Sequence, residues 1–272
     1  MQGGINAPCL LIILILSPMI NLIIHDAICK LEELQGNENI GNEFRDIPPV
    51  LWFGNIDSDT PKMLVVSANP NRPDLPEDDP RIPYCKEWVK KERDIEALAK
   101  DYNNYFFNNP STNWFGKDPK NEKEEVQQGR IEDFLNGLDA SFYGEANYQA
   151  IHIDLLPFST KTTFTKIDTK IMAIKGLSQW INKHLQEMID IIKPEAIIVN
   201  GSTNFDYFNL CINLGAQPYQ AYKFNKSTIW ISTRQPNMPP IIGISTNMGS
   251  YCLYKRHELL EMGRQVKEFI QL

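Results

Sequence analysis

Short, densely apolar runs alternate along this chain with longer stretches in which apolar residues recur every three or four positions. Five runs have strand character: Met63–Val66, Ala150–Leu156, Ala196–Val199, Thr228–Ser232 and Ile241–Ser245. Most are rich in Ile and Val and nearly continuous in apolar character, the pattern of parallel strands covered on both faces. Helical periodicity predicts helices over Met19–Leu34, Lys86–Phe107, Glu122–Leu138, Thr169–Ile192 and Leu253–Ile270. Their buried stripes are Ile20, Ile23, Ala27 and Leu31 in the first, Trp88, Ile95, Leu98 and Tyr102 in the second, and Val126, Ile131, Phe134 and Leu138 in the third. Lys193-Pro194 stops the fourth helix, and Ser202 is placed to cap another after the third strand. Alternating strands and helices predict an α/β fold, a three-layer α/β/α sandwich with a central, mostly parallel sheet.

Four of the apolar runs end in polar residues. The first runs into Ser67-Ala68-Asn69-Pro70-Asn71, and the second carries Asp154 just before Leu155-Leu156-Pro157. The third ends at Asn200-Gly201-Ser202, and the last at Thr246-Asn247-Met248-Gly249-Ser250. Open α/β sheets bind ligands beyond the carboxyl ends of their strands, so these tips predict one site along one edge. The proline- and acid-rich stretch that follows Asn71 reads as a long loop beside it.

Composition narrows the chemistry. The net charge of −7 is unevenly placed: residues 151–272 hold 13 Lys and Arg against 9 Asp and Glu, and residues 1–150 hold 14 against 25. The basic half suits a phosphate-tracking face as well as it suits ordinary surface charge. Cys9, Cys29, Cys85, Cys211 and Cys252 are scattered, without zinc spacing, and imply free thiols in a reducing cytoplasm and no metal. Cys9–Ile24 is apolar but interrupted by Ser17-Pro18 and Asn21. It lacks the preceding basic residues of a signal peptide and falls short of the ~20 apolar residues of a membrane span. No membrane association is expected, and translation from Met19 would suit the first helix. The expected organisation is an N-terminal apolar segment, helix and loop over 1–46, then one domain over 47–272 with an enlarged insertion at 72–149. No G-x-S-x-G, P-loop or G-x-G-x-x-G occurs. His25, His152, His184 and His257 form no metal or triad pattern, and His152, inside an apolar strand, reads as a core histidine.

The order of these strand tips resembles that of the uracil-DNA glycosylase superfamily, in its single-strand-selective and mismatch-specific branches. The family's first motif, Gly-x-Asn-Pro-Gly, is met by Ser67-Ala68-Asn69-Pro70-Asn71, which keeps Asn-Pro and neither glycine. Its base-stacking Phe after Val-Pro corresponds to Tyr84 after Ile82-Pro83, and its Asn-Leu-x-Pro to Asp154-Leu155-Leu156-Pro157. The final His-Pro-Ser falls on Thr246–Ser250 and lacks the His. The likeness spans roughly residues 63–270. It implies a cofactor-free enzyme that flips a base from DNA and hydrolyses its N-glycosidic bond, leaving an abasic site. Asn69 would orient the attacking water, and Tyr84 would stack on the base. Ser67, Ala68, Pro70, Asn71 and Asn200 would line the base pocket.

Asp154 stands where the family reads the base with Asn. An amide donates and accepts, which suits uracil; an ionised carboxylate only accepts, which suits the exocyclic amine of a cytosine-type base. Plain cytosine cannot be the target in a host genome, so the expected substrate is a hypermodified cytosine, such as glucosylated hydroxymethylcytosine in phage DNA. The aromatic and amide residues Trp88, Tyr105, Phe106, Phe107, Asn108, Asn109, Trp114 and Phe115 in the insertion suit either the added pocket or plain packing. Phosphate contacts are expected from Lys161, Thr162, Thr163, Lys166, Asn247, Gly249, Ser250, Lys255, Arg256 and His257, with Met248 as the wedge behind the flipped nucleotide. Two alternatives stay open: a uracil or damaged-base repair glycosylase, and a silent nucleic-acid-binding module of the same fold.

Overall fold

In the computed structural model the described residues are 7–68, 94–109, 111–112, 115–117, 129–144, 146–162, 164–212, 219–232, 238–249 and 252–271. The apolar runs form strands where expected. These are β1 (Lys62–Ser67), β5 (Tyr148–Asp154), β6 (Ala196–Asn200), β8 (Ser227–Ser232) and β9 (Ile241–Ile244). Short strands β2 (Ser111–Thr112), β3 (Gly116–Lys117) and β4 (Ala140–Ser141), and an edge strand β7 (Tyr219–Phe224), complete the set. Seven of them make one sheet in the order β4-β5-β1-β6-β9-β8-β7, while β2 and β3 form a separate antiparallel hairpin. From β4 to β9 the sheet is parallel, and β8 and β7 add to it antiparallel. With its helices this is an α/β fold consistent with a three-layer α/β/α sandwich.

The first helix, α1, runs from Ala7 to Gln35, through Pro18, and so begins earlier than its periodicity predicts. Its stripe Ile20, Ile23, Ala27 and Leu31 is buried in the same core as the sheet. Helices α2 (Ile95–Asn103) and α3 (Tyr105–Asn108) stand where one helix from Lys86 is expected; residues 86–93 lie outside the described residues. The Asp94 carboxylate caps α2 by accepting the N–H groups of Glu96 and Ala97. Of the third predicted helix, Glu122–Leu138, helix α4 covers Ile131–Gly137; Arg130 before it is extended, residues 122–128 lie outside the described residues, and Ile131, Phe134 and the following Leu138 are buried. The predicted helix over 169–192 is two, α5 (Phe164–Met172) and α6 (Leu177–Ile192), because Gly176 at φ +80° turns the chain between them. Lys193 closes α6 in the left-handed region just before Pro194, as expected from Lys193-Pro194. Ser202 does not cap α7 (Ser202–Ile212) but opens it, since Gly201, at φ +100°, supplies the carbonyl that accepts the Phe205 N–H.

The closing helix α8 (Arg256–Ile270) lies against α4 with Gly137 and Gly263 face to face. A Cβ on Gly263 would overlap the Phe134 carbonyl and sit 2.9 Å from the Gly137 Cα, so only glycine permits this approach. The chain leaves β1 toward β4 and β5 on one side and leaves β6 toward β7, β8 and β9 on the other. The carboxyl ends of β1 and β6 therefore flank a topological switch point, where a crevice opens in sheets of this kind.

Candidate functional site

Register fixes which side chains meet at this edge. Ser67 and Asp154 are direct partners across β1 and β5, and Val66 pairs with Val199 across β1 and β6, so Asn200 lies one step further on. The β1–β5 ladder continues past both strands, with Leu155 N–H on the Ser67 carbonyl and Leu156 N–H on that of Ala68, each 2.9 Å. Asp154, Ser67 and Asn200 are all buried, and Ala68 half-buried. The Ser67 Oγ has no hydrogen-bond partner among the described residues, which is uncommon for a buried hydroxyl. Asp154 Oδ1 lies 3.5 Å from Nε2 of His152, and both side chains are 4% exposed. The structure thus brings Ser67, Ala68, Asp154 and Asn200 together. Asn69, Pro70, Asn71 and Tyr84 fall outside the described residues, as do Trp88, Trp114, Thr163 and Ser250.

Asn200 is largely committed to the loop after β9. Its Oδ1 accepts the Met248 N–H at 2.9 Å, its Nδ2 faces Asn247 Oδ1 at 3.5 Å, and its carbonyl accepts Asn204 Nδ2 at 2.5 Å. Asn247 Oδ1 in turn holds the Gly249 N–H at 2.9 Å. From the other side, Ser245 Oγ accepts the Thr228 N–H at 2.8 Å, and the hydroxyls of Thr246 and Ser227 meet. A loop tied at each residue presents its outer face without conformational search, and that outer face carries the exposed Asn247.

Several expected contacts are corrected by the packing. Met248 is fully buried, so its side chain fills the core beneath the loop and is not placed to act as a wedge. The apolar side chain that does project nearby is Leu253, 81% exposed, on the approach to α8. Asn200 braces the loop through its amide oxygen, while its Nδ2 makes one longer contact with Asn247. Arg256 is drawn inward by Asp133, Nε to Oδ1 at 2.8 Å, while the other oxygen of Asp133 accepts the Arg130 N–H that begins α4. Lys255 and His257 are exposed, with Glu258 accepting the Lys255 N–H at 2.8 Å. Lys161, Thr162 and Lys166 follow β5, but the backbone there runs beside the N-terminal segment, with Lys161 N–H on the Glu43 carbonyl. Lys161 and Lys166 are exposed.

The insertion aromatics divide in the same way. Tyr105, Phe106 and Phe115 are buried in a cluster with Phe53 and Phe142, whereas Phe107 is 86% exposed. Packing explains the first three. His152 belongs to that cluster, with its ring stacked on Phe53 and edge-on to Phe115. Residues i and i+2 of a strand share a face, so its approach to Asp154 was open to inference from the sequence. Burial pushes the thiol of Cys211 up to about 11 and that of Cys252 up as well, which suits unreactive thiols. Among the described residues no helix is long and apolar enough to cross a membrane.

Fold and edge together define an α/β protein whose polar strand tips converge at a topological switch point. No protein-family model matches the chain, and no curated protein matches it.

Proposed function

We propose that this protein is a DNA N-glycosylase of the uracil-DNA glycosylase type that removes a flipped, hypermodified cytosine and leaves an abasic site. The observation that carries the reading is the register of Ser67 against Asp154 at the carboxyl edge, with the loop at 245–249 braced beside them. Hydrolysis breaks the base–sugar C–N bond, building positive charge on the sugar and negative charge on the departing base. Asn69 would orient the water by its amide oxygen; since an amide is no general base, rate would rest on orientation and electrostatics. Tyr84 would stack on the base. The Asp154 carboxylate would accept from the exocyclic amine, and the Ser67 hydroxyl would find its missing partner on the substrate. The exposed Asn247 and Lys255 would meet the phosphate backbone, and Leu253 would fill the space of the flipped nucleotide.

The test is an abasic-site assay on matched DNAs bearing uracil, cytosine, hydroxymethylcytosine or glucosylated hydroxymethylcytosine. Alkali-labile cleavage confined to a modified cytosine, and abolished by Asn69→Ala, is expected, with Asp154→Asn moving preference toward uracil. Cleavage of uracil alone would leave a repair glycosylase; binding without cleavage of any DNA would leave a silent nucleic-acid-binding module.

A further inference from the structure

We infer that His152 is the positioning residue for Asp154. Its imidazole, set beside one carboxylate oxygen, keeps Asp154 in the acceptor-only form and thereby sets the site's preference for a base edge that donates, an amine, over one that accepts, a carbonyl. This inference rests on the glycosylase reading of the same edge. His152 lies two residues before Asp154 on β5, on the same face, with Nε2 3.5 Å from Oδ1. The ring is held in place. It stacks on Phe53 at 6.2 Å between centroids and 18° between planes, and meets Phe115 edge-on at 4.8 Å and 72°. Its backbone is locked to Phe53 in both directions, by bonds of 2.9 and 2.8 Å. An imidazole so confined cannot swing away from the carboxylate without breaking the aromatic cluster.

The chemistry turns on burial. A carboxylate removed from water favours its protonated form, and a protonated Asp presents a donor and an acceptor much as an Asn amide does. It would then lose the distinction between an amine and a carbonyl. A ring nitrogen 3.5 Å from Oδ1, within ion-pair range though short of a formed hydrogen bond, opposes that protonation electrostatically and leaves the acceptor character intact. Two other titratable groups pack around the same aromatic cluster. Tyr105 is stacked on Phe53 at 3.6 Å, and Glu132 has its carboxylate held by Ser141 Oγ at 2.6 Å and the Phe142 N–H at 3.1 Å. Among the described residues Asp154 faces the imidazole Nε2.

Two measurements on the full chain test this. The first follows the imidazole resonances by NMR as pH is varied, in wild type and Asp154→Asn, with His152 assigned by its loss in His152→Gln. The carboxylate is expected to raise the His152 midpoint by about one pH unit or more relative to Asp154→Asn. Identical midpoints, or an identical neutral ring in both proteins, would overturn the pairing. The second measures the ratio of excision of glucosylated hydroxymethylcytosine to uracil. His152→Leu is expected to lower it about tenfold, while His152→Gln, which keeps an N–H donor, stays within about threefold of wild type. Equal ratios in all three proteins would reduce His152 to packing. A wild type that excises nothing would defeat the glycosylase reading and the preference with it, while the NMR comparison, which needs no substrate, would still judge the pair.

Discussion

Ser67→Ala is expected to make the protein more stable and less active. Ser67 is 5% exposed, and its Oγ has no hydrogen-bond partner among the described residues. Burying a hydroxyl without a partner costs about 1–3 kcal/mol, and alanine removes that cost while deleting a single heavy atom. The lost atom leaves a small void and some dispersion contact, which offsets part of the gain. A net increase of about 1 kcal/mol in unfolding free energy is the central expectation, equivalent to a rise in Tm of ~2–4 °C for a domain of this size. Urea unfolding followed by tryptophan fluorescence would measure it, with an unchanged m value showing that the unfolded state is not the cause. Excision of the preferred base should fall about tenfold or more, because a donor or acceptor that the substrate expects has gone. Destabilisation by about 1 kcal/mol would refute the reasoning, since it would mean the hydroxyl is bonded in the folded state. Stabilisation with undiminished excision would refute only its place in the site.

Burial holds the His184 imidazole down to about 4 from its ordinary 6.5, so the unfolded chain binds the extra proton and stability falls as pH drops through 6.5 toward 4. The full loss is about 3 kcal/mol. His184→Phe should lose less stability than wild type between pH 7 and 4.5 in urea titrations, and equal losses would contradict the assignment. Met248→Ala, at a fully buried position, should cost about 2–5 kcal/mol and lower Tm, whereas Leu253→Ala, 81% exposed, should change stability by less than ~0.5 kcal/mol yet slow excision from duplex DNA. Parallel Tm and excision measurements on both variants would reverse these roles if Leu253→Ala unfolds the protein or Met248→Ala leaves Tm intact.

Periodicity located the main strands because each is long enough in Ile and Val to be unambiguous, and β6, β9 and β1 from Met63 onward are buried. It passed over β7, whose alternating Tyr219–Phe224 faces solvent on much of its surface, and β4, two residues that pair only because β5 is already there. The polar tips at Ser67, Asp154 and Asn200 could be read directly, since strand ends in a parallel sheet share an edge. What each side chain does there could not. Met248 and Leu253 are both large and apolar, and only the turn between them decides which is buried and which projects. Asn200 carries the same amide whether it meets a base or braces a loop. Its partners Asn247 and Met248 are more than forty residues away in sequence. The pairing of His152 with Asp154 needed only the two-residue repeat of a strand.

The contact between Gly137 and Gly263 has a consequence for the order in which the protein becomes competent. Helix α8 leaves the ribosome after every strand of the sheet, yet α4, made much earlier, brings its Gly137 against α8. Until α8 arrives, Asp133 lacks Arg256, and Gly129 lacks the Tyr254 carbonyl that accepts its N–H at 2.8 Å. Growing chains can therefore assemble the sheet while the α4–α8 contact stays unmade. The last helix made is thus the one that completes the packing of α4.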